Sequence, residues 1–113
     1  MSDNHAKFNK LTMELRRGLL VMAVLEAVVT PHYGYSLRRH MEQNGLTVDE
    51  GTLYPLLRRL ESQELLTSDW QVQEGRKRRV YQLSTLGEQA REVMAREWQQ
   101  LNQALTNLTE GAQ

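Results

Sequence analysis

The first third of the chain combines a polar start with a broad apolar helical pattern. Residues 1–9 are polar, and we expect a flexible N-terminus there. From about residue 10 to residue 29, apolar side chains recur at the three-to-four spacing of an α-helix. They cover so much of the circumference that this helix is predicted to lie at the centre of the domain. Thr30 and Pro31 end it, because the residue before a proline disfavours helical dihedral angles.

Two shorter helices are predicted next. After a turn at residues 32–34, residues 35–43 show a helical pattern that ends at Asn44 and Gly45. Asp49 is a candidate N-cap for the third helix, which is predicted to reach about Gln63. The leucines of this helix fall on one face, whereas the opposite face is small, aromatic and basic. The third helix therefore has one face for the core and another for solvent or a partner.

A β-hairpin follows the third helix. Residues 66–73 alternate loosely between apolar and polar, and residues 80–83 are rich in strand-forming side chains. Glu74 and Gly75 lie between them, followed by four consecutive cations at residues 76–79. We expect these four cations at the tip of the hairpin. An alternative places Arg79 inward along the strand, paired with an acid.

The last predicted helix begins near Ser84 or Thr85 and runs to about Thr109. Thr85 with Glu88 three residues later has the pattern of a capping box. The apolar positions of this helix repeat at spacings of four and three, which is the heptad pattern of helices that pair. A domain of 113 residues offers this long face too few partners, so a second copy of the chain is the expected partner. These positions are Met94, Trp98, Leu101, Leu105 and Leu108.

The order of elements predicts a mainly α fold with a small β-hairpin. Three helices, two strands and a final helix are typical of a winged helix-turn-helix domain, here residues 10–84. Residues 85–113 are then a long C-terminal dimerisation helix.

Composition excludes several classes of protein. The chain has 14 Lys and Arg residues and 14 Asp and Glu residues, so its net charge gives no sign of a nucleic-acid partner. An argument for such a partner rests on where the cations lie. The absence of cysteine excludes disulfides, thiolate zinc sites and iron–sulfur clusters. No signal peptide is recognisable, and the longest apolar run, residues 19–25, is too short to span a membrane. We expect a cytoplasmic protein without membrane contact.

No catalytic chemistry is indicated. The three histidines lack metal-ligand spacing, and neither a glycine-rich phosphate loop nor a nucleophile elbow occurs. We expect no enzyme, no cofactor and no metal site.

The candidate DNA-binding side chains lie on the second helix, the third helix and the hairpin. Helix-turn-helix proteins insert the N-terminal end of the third helix into the major groove, and a hairpin tip contacts the minor groove or the phosphates. Two alternatives to DNA contact remain: the arginines are ordinary solvated surface residues, and Tyr35 packs half-buried within the domain. The candidates are Tyr35, Ser36, Arg39, Thr52, Tyr54, Pro55, Arg58, Arg76, Lys77 and Arg78.

A second candidate site lies on the C-terminal helix. Across a two-fold axis, a central tryptophan either packs in the interface or borders a slot for a flat aromatic ligand. Interface packing is the simpler interpretation, because apolar residues at helical spacing usually form core. The residues concerned are Leu15, Met94, Trp98, Leu101 and Leu105.

Three segments carry a resemblance to a known family. Residues 51–61 read Gly-Thr-Leu-Tyr-Pro-Leu-Leu-Arg-Arg-Leu-Glu, residues 32–35 read His-Tyr-Gly-Tyr, and residues 79–84 read Arg-Val-Tyr-Gln-Leu-Ser before Gly87. Over roughly residues 12–90 the chain resembles the PadR family of transcriptional regulators, in the short form with one C-terminal dimerisation helix.

The resemblance implies a repressor that binds operator DNA as a homodimer and is released by an effector, such as a phenolic acid or a flat hydrophobic drug. Two residues depart from the family pattern: Glu50 replaces a small polar residue near the expected phosphate, and Glu64 replaces a glycine at the end of the third helix. A longer last turn is expected at Glu64. The family's DNA-contacting positions correspond to Tyr35, Thr52, Tyr54, Pro55, Lys77 and Arg78.

The sequence therefore predicts a sequence-specific DNA-binding transcriptional regulator, a repressor released by a small aromatic or hydrophobic effector. The alternative is a winged-helix protein–protein interaction module that does not bind DNA, since winged helices also serve such roles.

Overall fold

The computed structural model describes residues 2–111, and it has the predicted mainly α fold with a small sheet. Within these residues, four helices and three strands follow one another in the order of a winged helix. Their bounds are α1 Ser2–Ala27, β1 His32–Tyr33, α2 Gly34–Gln43, α3 Glu50–Ser62, β2 Leu66–Gln73, β3 Arg76–Leu83 and α4 Thr85–Gly111.

The N-terminal segment is helical, where a flexible stretch was expected. Helix α1 begins at Ser2, about two turns before the predicted start at residue 10. Neither glycine nor proline occurs before Gly18, so nothing in the sequence interrupts the backbone hydrogen bonds of the helix. Met1 lies outside the described residues.

The sheet has three strands in the order β1-β3-β2, all antiparallel. The prediction of a simple turn at residues 32–34 was wrong, because His32 and Tyr33 pair with Tyr81 and Val80 of β3. Two residues are too few to show the alternation of a strand, so this pairing has no sequence signal. Strand β1 fixes the start of α2 against the hairpin.

The wing, defined here as Leu66–Leu83 with both strands and their turn, differs from the predicted hairpin. Strand β3 begins at Arg76, so the four cations lie along a strand and not at a tip. Only Glu74 and Gly75 form the turn, with φ of 55° and 74°. Positive φ at both central residues is typical of the two-residue turn that matches strand twist. Successive cations therefore point to opposite faces of the sheet.

The core lies where α1, α2, α3 and the base of the wing meet. The apolar faces of α2 and α3 point inward at the predicted positions, because helical periodicity places those side chains on one side. Helix α1 contributes its second half to the core, whereas Leu15 and Leu19 stay exposed. The buried cluster consists of Leu20, Val24, Leu25, Val28, Leu37, Met41, Val48, Leu53, Leu56, Leu57, Leu60, Leu66 and Tyr81.

Helix α3 ends in a left-handed residue and not in a longer last turn. Glu64 has φ of 65°, the N–H of Glu64 donates to the Glu61 carbonyl at 2.9 Å, and the N–H of Leu65 donates to the Leu60 carbonyl at 3.0 Å. This is the Schellman pattern, in which glycine is the usual left-handed residue. Glu64 adopts the glycine conformation without being glycine.

Helix α4 is capped by Ser84, not by a box of Thr85 and Glu88. The Gly87 N–H donates to Ser84 Oγ at 2.9 Å, and that hydroxyl donates to the Glu64 carbonyl at 2.6 Å. Gly87 is buried, and a Cβ there would overlap the Leu65 carbonyl oxygen. The cap thus joins the end of α3 to the start of α4.

Candidate nucleic-acid interface

The N-terminus of α3 is exposed and ordered by a short polar contact. Asp49 is the N-cap residue, as predicted, and Thr52 Oγ1 donates a hydrogen bond to Asp49 Oδ1 at 2.9 Å. This hydrogen bond is the main reason that the pKa of Asp49 lies below its ordinary value. Glu50 pairs with Arg38 of α2 at 3.6 Å. Its charge is therefore partly offset at the helix end where an anion would approach.

Helix α3 places Tyr54 and Arg58 beside the wing. Tyr54 packs against Gly34, where a Cβ would approach its ring to 2.6 Å. A groove of about 390 Å³ opens between α3, the start of α2 and the wing. Its lining combines aromatic and cationic side chains, among them Tyr35, Tyr54, Arg58, Trp70, Lys77 and Arg78. Pro55 and Thr52 are exposed on the adjoining end of α3.

Helix α2 contributes an exposed aromatic side chain, Tyr35, and a hydroxyl, Ser36, that hydrogen-bonds to the backbone. Tyr35 is 41% exposed, and the Arg39 guanidinium lies 5.7 Å from the centre of its ring. Ser36 Oγ accepts from the Tyr33 N–H at 3.1 Å and donates to the Tyr33 carbonyl at 3.0 Å. These bonds fix the first turn of α2, so the Ser36 hydroxyl serves the helix end itself.

A histidine pair lies behind this helix end. The rings of His32 and His40 stack with centroids 5.2 Å apart, and His32 Nδ1 lies 3.0 Å from Ser36 Oγ. Burial lowers the pKa of His32, and the neighbouring His40 lowers it further. The folded protein therefore favours the neutral form of His32.

The four cations of the wing have different environments. Arg76 and Lys77 are exposed. The Arg78 guanidinium stacks over the Tyr33 ring at 4.7 Å and lies 4.0 Å from the Glu74 carboxylate. Arg79 pairs with Glu61 of α3 at 3.1 Å, which confirms the predicted pairing with an acid, but its side chain is 45% exposed and does not point inward.

Trp70 also borders the groove, although it is not among the DNA-binding residues predicted from the sequence. It lies on β2 opposite Arg79, is 62% exposed, and has the Arg79 guanidinium 5.9 Å from its ring centre. In the sequence, Trp70 lies two residues after Ser68 and four after Leu66, which places it on the same face of the strand as these residues. Only the packing of α3 against that face shows that Trp70 borders the groove.

A second groove, of about 400 Å³, lies between α1 and α4. It brings together four of the five residues predicted for a ligand or dimer site, Leu15, Met94, Trp98 and Leu101. Trp98 is 47% exposed, whereas Met94 packs partly against the core. The fifth, Leu105, does not line the groove and is exposed farther along α4. Much of the apolar face of α4 is therefore uncovered in a single chain.

Within residues 2–111, no helix is long and apolar enough to cross a membrane. The same part of the chain contains no cluster of three or more histidines, cysteines or carboxylates placed to hold a metal ion.

Comparison with known proteins identifies relatives of one kind. The sequence model of the transcriptional regulator PadR-like family matches residues 21–93. A PadR family transcriptional regulator from Eggerthella lenta DSM 2243 superposes with a TM-score of 0.87 at 34% identity, covering 97% of this chain and 98% of that one. A PadR-like transcription factor from Bacteroides fragilis superposes with a TM-score of 0.74 at 29% identity, over 88% of this chain and 98% of that one.

A curated relative agrees over a shorter stretch. The transcriptional regulator Rv3488 of Mycobacterium tuberculosis is 43% identical over 58 residues, which are 51% of this chain and 54% of that protein. The chain thus matches about half the length of Rv3488. The family match spans more than half of the chain, and its members are transcriptional regulators and not enzymes. The chain therefore belongs to the PadR-like family of transcriptional regulators.

Proposed function

We propose that this regulator binds double-stranded operator DNA sequence-specifically as a homodimer. The observation that carries the proposal is the groove between α3 and the wing, where the exposed end of a helix and a cationic strand face the same space. Helix α3 enters the major groove, and the wing lies along the adjacent backbone or minor groove.

The contacts divide by chemistry. Thr52, Tyr54 and Pro55 present small and aromatic groups at the end of α3 that enters the groove, and Arg58 reaches a guanine edge or a phosphate. Tyr35 and Arg39 contact phosphate from the start of α2, with Ser36 ordering the turn that holds them. The wing cations Arg76, Lys77 and Arg78 neutralise phosphates of the DNA backbone and do not distinguish one base sequence from another.

The uncovered faces of α1 and α4 support a two-fold dimer. Phe8, Leu11 and Leu15 on α1, with Leu101 and Leu105 on α4, are exposed large apolar side chains at helical spacing. An isologous pairing of these helices buries them on both copies. The two recognition helices then face half-sites about one helical turn, roughly 34 Å, apart.

Repression and its release follow from the same helices. An operator-bound dimer in the cytoplasm blocks transcription, and a small planar aromatic or hydrophobic effector binds beside Trp98 in the groove of about 400 Å³. Such a ligand lowers operator affinity only if it binds the DNA-free dimer more tightly than the DNA-bound one.

The test of DNA binding is fluorescence anisotropy with duplex DNA from upstream of the protein's own gene, over a series of salt concentrations. We expect the logarithm of affinity to fall linearly with the logarithm of salt. Lys77→Ala with Arg78→Ala removes two phosphate contacts from each protomer, four from the dimer, and should reduce the magnitude of the slope by about four. Equal affinity for this DNA and for a random duplex would contradict an operator there, and no binding to any duplex would favour the protein–protein module.

The test of effector release uses flat aromatic compounds as probes. We expect each effective compound to quench tryptophan fluorescence and to weaken operator binding, and Trp98→Ala to abolish both effects. Unchanged operator affinity at saturating compound would refute release through this groove.

A further inference from the structure

We propose that Arg79 is a positioning residue that holds the wing at a fixed angle to α3, so that both elements contact one DNA site. The inference rests on the proposed DNA-binding function. We name the group of four side chains Glu61, Ser68, Trp70 and Arg79 the wing clamp.

The wing clamp connects three elements through polar contacts. Arg79 on β3 donates from Nη2 to Glu61 Oε1 on α3 at 3.1 Å and from Nε to Ser68 Oγ on β2 at 2.9 Å. Ser68 Oγ donates in turn to Glu61 Oε2 at 2.5 Å. Glu61 thus uses both carboxylate oxygens to hold the wing, and the Arg79 guanidinium also lies beside the Trp70 ring.

The position of the clamp determines what it controls. From residue 69 to residue 79 no side chain is buried, and Trp70 and Val72 are exposed. The buried apolar side chains of the wing therefore lie at its base, at Leu66, Val80 and Tyr81. Beyond this base, the clamp and the stacking of Arg78 on Tyr33 connect the wing to the rest of the domain. Arg76 and Lys77 lie next to the turn, so a small rotation of the wing displaces them by the largest distance.

The sign of one substitution separates this role from simple electrostatics. Glu61 is an acid beside a surface that meets phosphates, so removing its charge alone should tighten DNA binding. If Glu61 holds the wing, Glu61→Gln weakens the pairing with Arg79 and should loosen DNA binding instead. The two effects have opposite signs.

The experiment measures operator affinity and its salt slope for Glu61→Gln and Arg79→Gln in the full-length protein. We expect affinity to fall about tenfold in each, the size typical of losing a charge-assisted contact. The magnitude of the slope should fall by about four for Glu61→Gln, because Arg76 and Lys77 disengage in both protomers, although no cation has been removed. The double variant should be no weaker than either single one, because both remove the same clamp.

Asp69→Asn is the matched control for Glu61→Gln. Asp69 is an exposed acid on β2, next to Ser68, but it is not part of the clamp. It should bind operator as tightly as the parent or more tightly, with an unchanged slope. Ser68→Ala removes the hydroxyl that links Arg79 to Glu61 and changes no charge. We expect weaker operator binding with a smaller salt slope. This variant keeps the proposal testable if a charge variant folds poorly.

Amide hydrogen exchange gives an independent measure of position. In Glu61→Gln we expect faster exchange in residues 69–79 and unchanged exchange in α3. Parent-like affinity and slope in both Glu61→Gln and Ser68→Ala would overturn the clamp while leaving DNA binding intact. Failure of the parent protein to bind any duplex would instead refute the proposed function.

Discussion

Glu64 is a position where one substitution should stabilise the protein. Its φ of 65° places a side-chain-bearing residue in the left-handed region, which costs about 1–2 kcal/mol relative to right-handed backbone. Glu64→Gly removes that cost but increases the freedom of the unfolded chain, which offsets roughly 0.5–1 kcal/mol. The Glu64 carbonyl that accepts from Ser84 is kept, because it belongs to the backbone. The net gain is about 0.5–1 kcal/mol in the free energy of unfolding.

Thermal and urea unfolding at one fixed protein concentration measure this gain, since the stability of the proposed dimer would depend on concentration. For a chain of this length the midpoint temperature should rise by roughly 4 °C. Glu64→Ala is the control, because it removes the same exposed carboxylate and keeps a Cβ at the same φ, so we expect no gain from it. A glycine variant no more stable than the alanine variant would refute the argument from backbone strain.

Three further predictions test other parts of the structure. Gly87→Ala should lower the free energy of unfolding by about 2 kcal/mol, because its Cβ overlaps the Leu65 carbonyl, and urea denaturation with parent-like stability would contradict that packing. Gly34→Ala should displace Tyr54 and weaken operator binding with little change in midpoint temperature, so unchanged anisotropy curves would show that the ring adapts. The lowered pKa of His32 means that the unfolded chain takes up a proton first, so stability is fully present well above the usual pKa of 6.5 and falls as the pH drops through it. Urea midpoints from pH 7.5 to pH 5 should show this decline, and His32→Gln should flatten it, whereas His5→Gln should leave it unchanged.

Features that depend on neighbours in the sequence were predictable. The leucine face of α3, the Asp49 N-cap and the apolar repeat of α4 follow from helical periodicity and from local backbone hydrogen bonds. The family resemblance at residues 51–61 likewise required no structure. Helix bounds were less certain, as the start of α1 shows, because a polar helix without breakers has no marked first residue.

The left-handed end of α3 was only partly predictable from the sequence. The departure from glycine at Glu64 was visible in the sequence, yet its consequence was not. The chain keeps the Schellman turn with a strained residue, because β2 must begin at Leu66 opposite Leu83 and the Ser84 cap requires the Glu64 carbonyl. Tertiary contacts outweighed local preference there.

The amino-acid sequence alone was enough to predict a winged-helix regulator with a cationic hairpin and an apolar face on its final helix. The folded structure was needed to show that β1 pairs with β3, that four adjacent cations lie on two faces of a strand, and that Arg79 pairs with Glu61. It also decided which faces of α1 and α4 form a groove around Trp98. The physical reason is distance along the chain, because periodicity reports the preference of each segment, whereas strand register and side-chain pairing depend on segments that meet only in the folded domain.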